Sequence, residues 1–168
     1  MTSSGASRQL TAESAAALAG VRIFSAFTIT ATFWLLLTTA VGLLLSFKFT
    51  YPDLATNPLL SFGRLRAIHT NGTFYGWASI ALTGLAFYVA ARSSGVQLQQ
   101  RRLAWAALWC YNLAAALGTI TLDLGISNGS QEYREWVWWV AIFFLAGVVL
   151  SGIVTVSTVM ARSGREIY

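Results

Sequence analysis

The sequence predicts an all-α membrane protein with four transmembrane helices. Of its 168 residues, 56% are hydrophobic and only 10% are charged, whereas about a quarter of the residues of an average soluble domain are charged. A soluble domain of this length leaves too much of its surface in water to hide so many apolar side chains. The few charged residues also leave four long uncharged stretches. The composition therefore excludes an ordinary soluble domain, a disordered chain and a secreted disulfide scaffold.

The four uncharged stretches are the predicted spans. Each has at least 20 residues, and about 20 residues of helix cross the hydrocarbon core of a bilayer. Continuous helices are expected because backbone polar groups in lipid must be paired within the segment. The stretches are residues 23–47, 67–91, 103–122 and 137–161. With their flanks they form one bundle over residues 21–168, with spans near 22–47, 66–91, 103–123 and 136–161.

Residues 1–20 precede the first span and are rich in serine and alanine. We expect a cytoplasmic N-terminal tail, and a loosely ordered tail is favoured over a short surface helix at residues 10–18. The first span is too long and starts too late for a typical signal peptide. Pro52 and Pro58 are the only prolines, and both lie between the first two spans. No proline kink is therefore expected within a span.

The distribution of Lys and Arg predicts that both termini are cytoplasmic. Cytoplasmic segments carry an excess of these residues, and four spans put both termini and the loop at residues 92–102 on one side. That side holds seven basic residues, namely Arg8, Arg22, Arg92, Arg101, Arg102, Arg162 and Arg165, and the other holds four, namely Lys48, Arg64, Arg66 and Arg134. Because the charges are scattered, they predict contact with a lipid bilayer and no nucleic-acid groove.

His69 is the only histidine, and it lies near the outward end of the second span. Ionisable side chains are costly inside a membrane, so they are candidates for function. An imidazole can ligate haem iron or another metal, relay a proton, or form a hydrogen bond with a neighbouring helix. The position favours a ligand, and a purely structural hydrogen bond remains the alternative.

Four further candidates lie around His69. Gly72 and Gly76 share its helix face, where small side chains let a flat macrocycle approach or let two helices pack closely. The pattern alone favours helix packing. Arg64 and Arg66 precede His69, and a guanidinium binds the carboxylates of a cofactor in a bidentate manner. Charges at the membrane edge are the simpler interpretation of both arginines.

The loop before the fourth span contains Glu132 and Glu135. Paired carboxylates bind calcium, although acidic residues in a loop are more often only solvated. A six-coordinate haem needs two axial ligands, and Met160 is the only other candidate besides the initiator. Met160 and His69 differ in depth by roughly 30 Å at the rise of a helix. The second ligand must therefore come from a longer chain or from another polypeptide.

Three motifs together carry a family resemblance. The second span contains Phe62-Gly63-Arg64-Leu65-Arg66 followed by His69-Thr70-Asn71. The third span ends with Ile120-Thr121-Leu122-Asp123-Leu124-Gly125-Ile126, which Glu132-Tyr133 follow, and the fourth is followed by Arg165-Glu166-Ile167-Tyr168. Over residues 22–168 the chain resembles the N-terminal portion of subunit I of the haem–copper oxidase superfamily, most closely the cbb(3)-type cytochrome c oxidases.

The resemblance implies the first four helices of a fold with about twelve. It implies a respiratory terminal oxidase that accepts electrons from cytochrome c, reduces oxygen to water and translocates protons. By resemblance, His69 is an axial ligand of low-spin haem b, and Arg64 and Arg66 lie near the haem propionates. Glu132 and Glu135 correspond to acidic residues near the propionates and a calcium ion.

The resemblance also places most of the chemistry elsewhere. The ligands of the high-spin haem and copper lie in later spans, so the 168 residues alone are not expected to be catalytic. Implied partners are the remainder of subunit I, c-type cytochrome subunits and the lipid bilayer, in the inner membrane of a bacterium. The chain is then a fragment or a split subunit.

Three alternatives stay open. One is a nitric oxide reductase of the same superfamily. Another is a four-helix carrier in which two copies each donate His69 to one haem. The third is an assembly or scaffold protein without a cofactor, in which His69 is structural.

Overall fold

The computed structural model describes residues 3–54, 56–129 and 131–162, with side chains from Leu18 onward. Four helices within these residues are long and apolar enough to cross a membrane, and they confirm the four predicted spans. They cover Leu18–Thr50, Phe62–Ser94, Arg101–Asp123 and Trp138–Met160. No strand occurs in this part of the chain. The helices are α1 (Ser3–Thr50), α2 (Phe62–Asn71), α3 (Ser79–Ser94), α4 (Arg101–Asp123) and α5 (Trp138–Met160).

Helix α1 is longer than the first predicted span. The sequence favoured a loosely ordered tail over residues 1–20, but the helix extends back to Ser3. The short surface helix considered at residues 10–18 is thus part of α1. Alanine has the highest helix propensity, and residues 15–17 are three consecutive alanines, so this stretch can prolong the helix.

The second span is not one continuous α-helix. Residues Gly72–Ala78, between α2 and α3, form a π-helical segment. In such a segment a backbone N–H donates to the carbonyl five residues back, as the N–H of Ser79 does to Phe74. No proline lies in the span, as predicted. The interruption is therefore a widened turn, and it begins three residues after His69.

The second span contacts all three other spans. Helix α1 packs along α2, the π-helical segment and α3, while α4 packs against α5 and also contacts α2. One buried apolar cluster joins α1, α3, α4 and α5 and includes Phe27, Ile80, Tyr111 and Val154. A second cluster, at the end of the bundle nearer His69, includes Ile68, Leu122, Trp136 and Val140.

Some expectations from the sequence concern parts of the chain that the structure does not describe. The motif at residues 165–168, with Arg165, lies outside the described residues, as does the side chain of Arg8. The assignment of both termini to the cytoplasm stays a prediction.

Candidate cofactor site around His69

The imidazole of His69 is held by the first helix. Its Nδ1 lies 2.7 Å from the backbone carbonyl oxygen of Thr38 in α1. A carbonyl oxygen can only accept, so Nδ1 carries the proton and donates it. The lone pair of His69 is therefore on Nε2. No side chain or backbone group in the described residues pairs with Nε2, which is also not among their fully buried unpaired atoms. The Nε2 lone pair thus has no hydrogen-bonding partner in this part of the chain.

Gly42 of α1 lies directly against the same ring. A Cβ atom at this position would lie 2.6 Å from Cε1 of His69 and 2.8 Å from its Nδ1. Any residue other than glycine would therefore displace the ring. Sequence analysis missed both Thr38 and Gly42. Thr38 contacts His69 through a backbone oxygen, and Gly42 does so by lacking a side chain, so neither residue type indicates the contact.

Gly72 and Gly76 also face α1. A Cβ on Gly72 would lie 2.5 Å from Cγ2 of Thr38, and one on Gly76 would lie 3.0 Å from ring atoms of Trp34. The space over both glycines is thus filled by side chains of α1. This arrangement agrees with close helix packing, and it leaves no room for a flat macrocycle over the two glycines.

Arg66 forms an ion-pair cluster with the loop before α5. Its Nη1 lies 3.0 Å from Oε1 of Glu132, and its Nη2 lies 3.3 Å from Oε1 of Glu135. Glu132 is exposed, whereas Glu135 is buried. The second carboxylate oxygen of Glu135 accepts a hydrogen bond from Nδ2 of Asn71 at 2.9 Å. Three of the predicted site residues therefore meet in one place.

Arg64 has a different environment. Its Nη1 donates to the backbone oxygen of Asp123 at 2.7 Å, at the C-terminal end of α4, where helix carbonyls lack partners. Gly125 approaches the guanidinium so closely that a Cβ there would lie 2.8 Å from Nη2. Within the described residues no carboxylate pairs with Arg64. A cavity of about 220 Å³ borders Arg64, Arg66 and Glu135, so both guanidinium groups lie beside an open volume, but the guanidinium of Arg66 is already paired with two carboxylates.

Glu132 and Glu135, the residues for which the sequence predicts calcium binding, face an arginine in the structure. They contain no group of three or more His, Cys, Asp or Glu side chains that could hold a metal ion. Calcium takes six to eight oxygen ligands, whereas Glu132 and Glu135 both face the guanidinium of Arg66. The positive charge beside these carboxylates in the described residues is therefore an arginine, and calcium binding stays a prediction.

Two buried polar atoms near this cluster lack partners among the described residues. They are Oδ1 of Asn71 and Nε1 of Trp136. The Trp136 indole lies on Gly118 of α4, where a Cβ would lie 2.4 Å from Nε1. The hydroxyl of Tyr75 donates to the backbone oxygen of Tyr133. The α2 end of the second span and the loop before α5 therefore form one closely packed polar region.

Comparison with known proteins identifies the family of this helical membrane protein. Residues 22–168 match the family described as Cytochrome C and Quinol oxidase polypeptide I. The chain is 32% identical over 111 residues to a cytochrome c oxidase subunit 1 homolog of Agrobacterium tumefaciens, covering 66% of this chain and 20% of the relative. It is 31% identical over 150 residues to cytochrome c oxidase subunit 1 of Rhodobacter capsulatus, covering 87% and 28%.

A third relative is the cbb3-type cytochrome c oxidase subunit CcoN1 of Stutzerimonas stutzeri, which is 28% identical over 148 residues, covering 88% of this chain and 31% of the relative. The fold and the matches define a multi-helix membrane protein of the oxidase class. The chain belongs to the cytochrome c and quinol oxidase polypeptide I family, which confirms the resemblance inferred from its motifs. It spans less than a third of the length of these relatives.

Family membership has direct consequences for cofactors and location. The family of haem–copper oxidase subunits I implies haem and copper as cofactors. Four helices of membrane length and bacterial relatives support a place in a bacterial inner membrane.

Proposed function

We propose that this chain is the N-terminal part of the catalytic subunit of a respiratory cytochrome c oxidase, which reduces oxygen to water and translocates protons. One observation carries the proposal for this part of the subunit. His69 donates a hydrogen bond from Nδ1 to Thr38, which leaves the lone pair on Nε2 without a partner among the described residues. The family match over residues 22–168 supports the rest.

In this proposal His69 is an axial ligand of low-spin haem b. Histidines that bind metals almost always donate their other N–H to a carbonyl, a carboxylate or water, which fixes the ring and its tautomer. The Thr38 carbonyl is such a partner. A low-spin haem bound there would pass electrons onward to the site of oxygen reduction. The second axial ligand would come from the remainder of the subunit, because Met160 lies at the far end of α5.

Arg64 is the first candidate to bind a haem propionate, and Arg66 is the second. Arg64 lies beside the cavity and pairs with no carboxylate in the described residues, whereas Arg66 already pairs with Glu132 and Glu135. A propionate at Arg66 would have to share that guanidinium with two carboxylates. Arginine suits this role because its planar fork of donors matches a carboxylate.

The remaining chemistry belongs to the rest of the proposed subunit. High-spin haem and copper would bind there, and the 168 residues alone would not be catalytic. The proposed partners are that remainder, c-type cytochrome subunits and the lipid bilayer. Both termini of the chain would lie in the cytoplasm.

Substitution of His69 in the complete oxidase tests the proposal. In the His69→Ala variant we expect the low-spin haem b signal to disappear from the optical and electron paramagnetic resonance spectra, while the subunit still inserts. Ser79→Ala is a matched control in the same span, because within the described residues its hydroxyl bonds to the backbone of Phe74 in that span and to no other helix. An assembled His69→Ala oxidase with a low-spin haem b signal of full intensity would contradict the assignment.

The alternatives differ in their support. If the complete protein is a nitric oxide reductase of the same superfamily, the purified enzyme would consume nitric oxide rather than oxygen. The two-copy haem carrier loses the surface that favoured it, because Gly72 and Gly76 pack against α1. A cofactor-free scaffold would assemble without any low-spin haem.

A further inference from the structure

We infer that α1 positions the proposed haem ligand, with the Thr38 carbonyl fixing the tautomer of His69 and Gly42 fixing the plane of its ring. The inference rests on the proposed haem ligation. It assigns a role to two residues of a helix that contributes no ligand itself. Thr38 and Gly42 are one helical turn apart on α1, so both face the same side chain.

The hydrogen bond determines which nitrogen can bind iron. An imidazole that donates from Nδ1 to a carbonyl has its lone pair on Nε2, and the other tautomer would place a lone pair against the carbonyl oxygen. The distance of 2.7 Å between Nδ1 of His69 and the Thr38 oxygen is within the range of a good hydrogen bond. The ring is therefore prepared for binding through Nε2 before any ligand arrives.

Gly42 determines how close the ring lies to α1. A Cβ at position 42 would lie 2.6 Å, 2.8 Å and 3.3 Å from Cε1, Nδ1 and Nε2 of His69. Carbon atoms in contact normally lie about 3.5–4.0 Å apart, so a methyl group there must move the ring. Any rotation away from position 42 also moves Nδ1 relative to the Thr38 oxygen. Together, the contact with Gly42 and the hydrogen bond to Thr38 thus fix one orientation of the His69 ring.

The surrounding packing keeps α1 at this distance. Gly72 lies against Thr38, and Gly76 lies against Trp34. Helix α1 and the second span are therefore in close contact at both positions. Nε1 of Trp34 donates to Oδ1 of Asn112 in α4 at 3.0 Å. Helix α1 is therefore tied both to the second span and to α4, and it cannot easily yield to a displaced ring.

Two measurable properties of a bound haem follow from the ring's environment. Donation from Nδ1 makes the imidazole a stronger base toward iron, which favours the oxidised iron and lowers the midpoint potential. The orientation of the imidazole plane relative to the haem governs the g values of the ferric low-spin state. Both properties report on ligand geometry without reference to turnover.

The experiment is Gly42→Ala in the complete oxidase. We expect the midpoint potential of low-spin haem b to rise and its g values to shift, because the added methyl group weakens the bond to Thr38 and turns the ring. Gly152→Ala is the matched control, since a Cβ at that helical glycine of α5 meets no atom within 4 Å. Unchanged potential and g values in Gly42→Ala would overturn the inference.

The His69→Ala variant, prepared in parallel, distinguishes failure of the proposed haem ligation from failure of the inferred role of α1. If low-spin haem b survives in His69→Ala, the proposed ligation fails and the inference fails with it. If His69→Ala loses the haem and Gly42→Ala resembles the unsubstituted enzyme, only the inference fails.

If Gly42→Ala does not assemble, electron–nuclear double resonance on the unsubstituted ferric enzyme replaces it. A hydrogen-bonded proton on Nδ1 of the axial histidine that exchanges slowly in D₂O would support the inference, and an unprotonated Nδ1 or a rapidly exchanging proton would overturn it.

Discussion

Glu135 shows at the level of a single residue how the loop before α5 is attached to the second span. The side chain is 5% exposed, and burial of a carboxylate is costly unless the charge is paired and hydrogen-bonded. One oxygen faces Arg66 and the other accepts from Asn71. Glu132 contacts the same guanidinium but remains exposed. The two acidic residues thus have unequal roles although both pair with Arg66.

The Glu135→Ala variant should be clearly less stable than the Glu132→Ala variant. Loss of Glu135 leaves the buried Asn71 without a side-chain partner, and we expect a loss of about 1–3 kcal/mol. Loss of the exposed Glu132 should cost less than about 1 kcal/mol. Thermal unfolding of the detergent-solubilised protein, followed by circular dichroism, measures both. Equal losses of stability in the two variants would show that burial does not make the Arg66–Glu135 pair more stabilising than the Arg66–Glu132 pair.

Sequence reasoning at this scale could single out side chains but not their partners. His69, Arg64 and Arg66 stand out because ionisable residues are rare in and beside an apolar span. The partners of Arg66 are 66 and 69 residues away, and such pairing depends on how the helices pack. The acceptor of His69 is a backbone atom 31 residues away, which no residue type indicates.

At the level of helices, the four spans could be predicted because an uncharged apolar stretch of about 20 residues has few other stable environments. The π-helical segment could not, because a change from four-residue to five-residue hydrogen bonding leaves little trace in composition. Gly72 and Gly76 suggested close packing, and the structure identifies α1 as the helix that approaches them. Which helix fills a small-residue face is decided by the packing of the whole bundle.

A pair of substitutions should isolate the contribution of the contact between Gly72 and Thr38 to stability. Gly72→Ala places a Cβ 2.5 Å from Cγ2 of Thr38, and overpacking of this kind costs about 1–3 kcal/mol. Thr38→Ser removes that methyl group but keeps the hydroxyl that donates to Trp34. We therefore expect the double variant to regain most of the stability lost by Gly72→Ala, as measured by a double-mutant cycle of unfolding.

The exposed glycine of α5 supplies the comparison for that cycle. Gly152→Ala meets open space and should leave stability unchanged or slightly higher, because alanine favours helix over glycine. If Gly72→Ala proved as harmless as Gly152→Ala, the close contact of α1 with the second span would not exist in the protein.

At the level of the whole molecule, the bundle buries one face of each helix and leaves many large apolar side chains exposed, such as Ile29, Leu82 and Leu145. Such surfaces suit contact with lipid or with further helices. The composition predicted this membrane character correctly. For the direction of insertion, the sequence offers only the distribution of basic residues, with seven on the predicted cytoplasmic side and four on the other.

Cysteine labelling tests the predicted direction. Cys110 is the only cysteine, so a Cys110→Ala background allows single cysteines to be placed at exposed positions. Ser127→Cys, in the loop before α5, should react with a membrane-impermeant maleimide added to intact spheroplasts. Ser93→Cys, at the end of α3, should react only after lysis. The reverse pattern would place both termini outside.

The pairing of Arg66 with the glutamates before α5 also affects how the chain is made. Its partners are synthesised 66 and 69 residues later, which takes roughly 3 to 14 seconds at about 5–20 residues per second. During that interval Arg66 lacks both of its carboxylate partners. The ion pair can form only after the loop before α5 has been synthesised, so this link between the loop and the second span is made well after the second span itself.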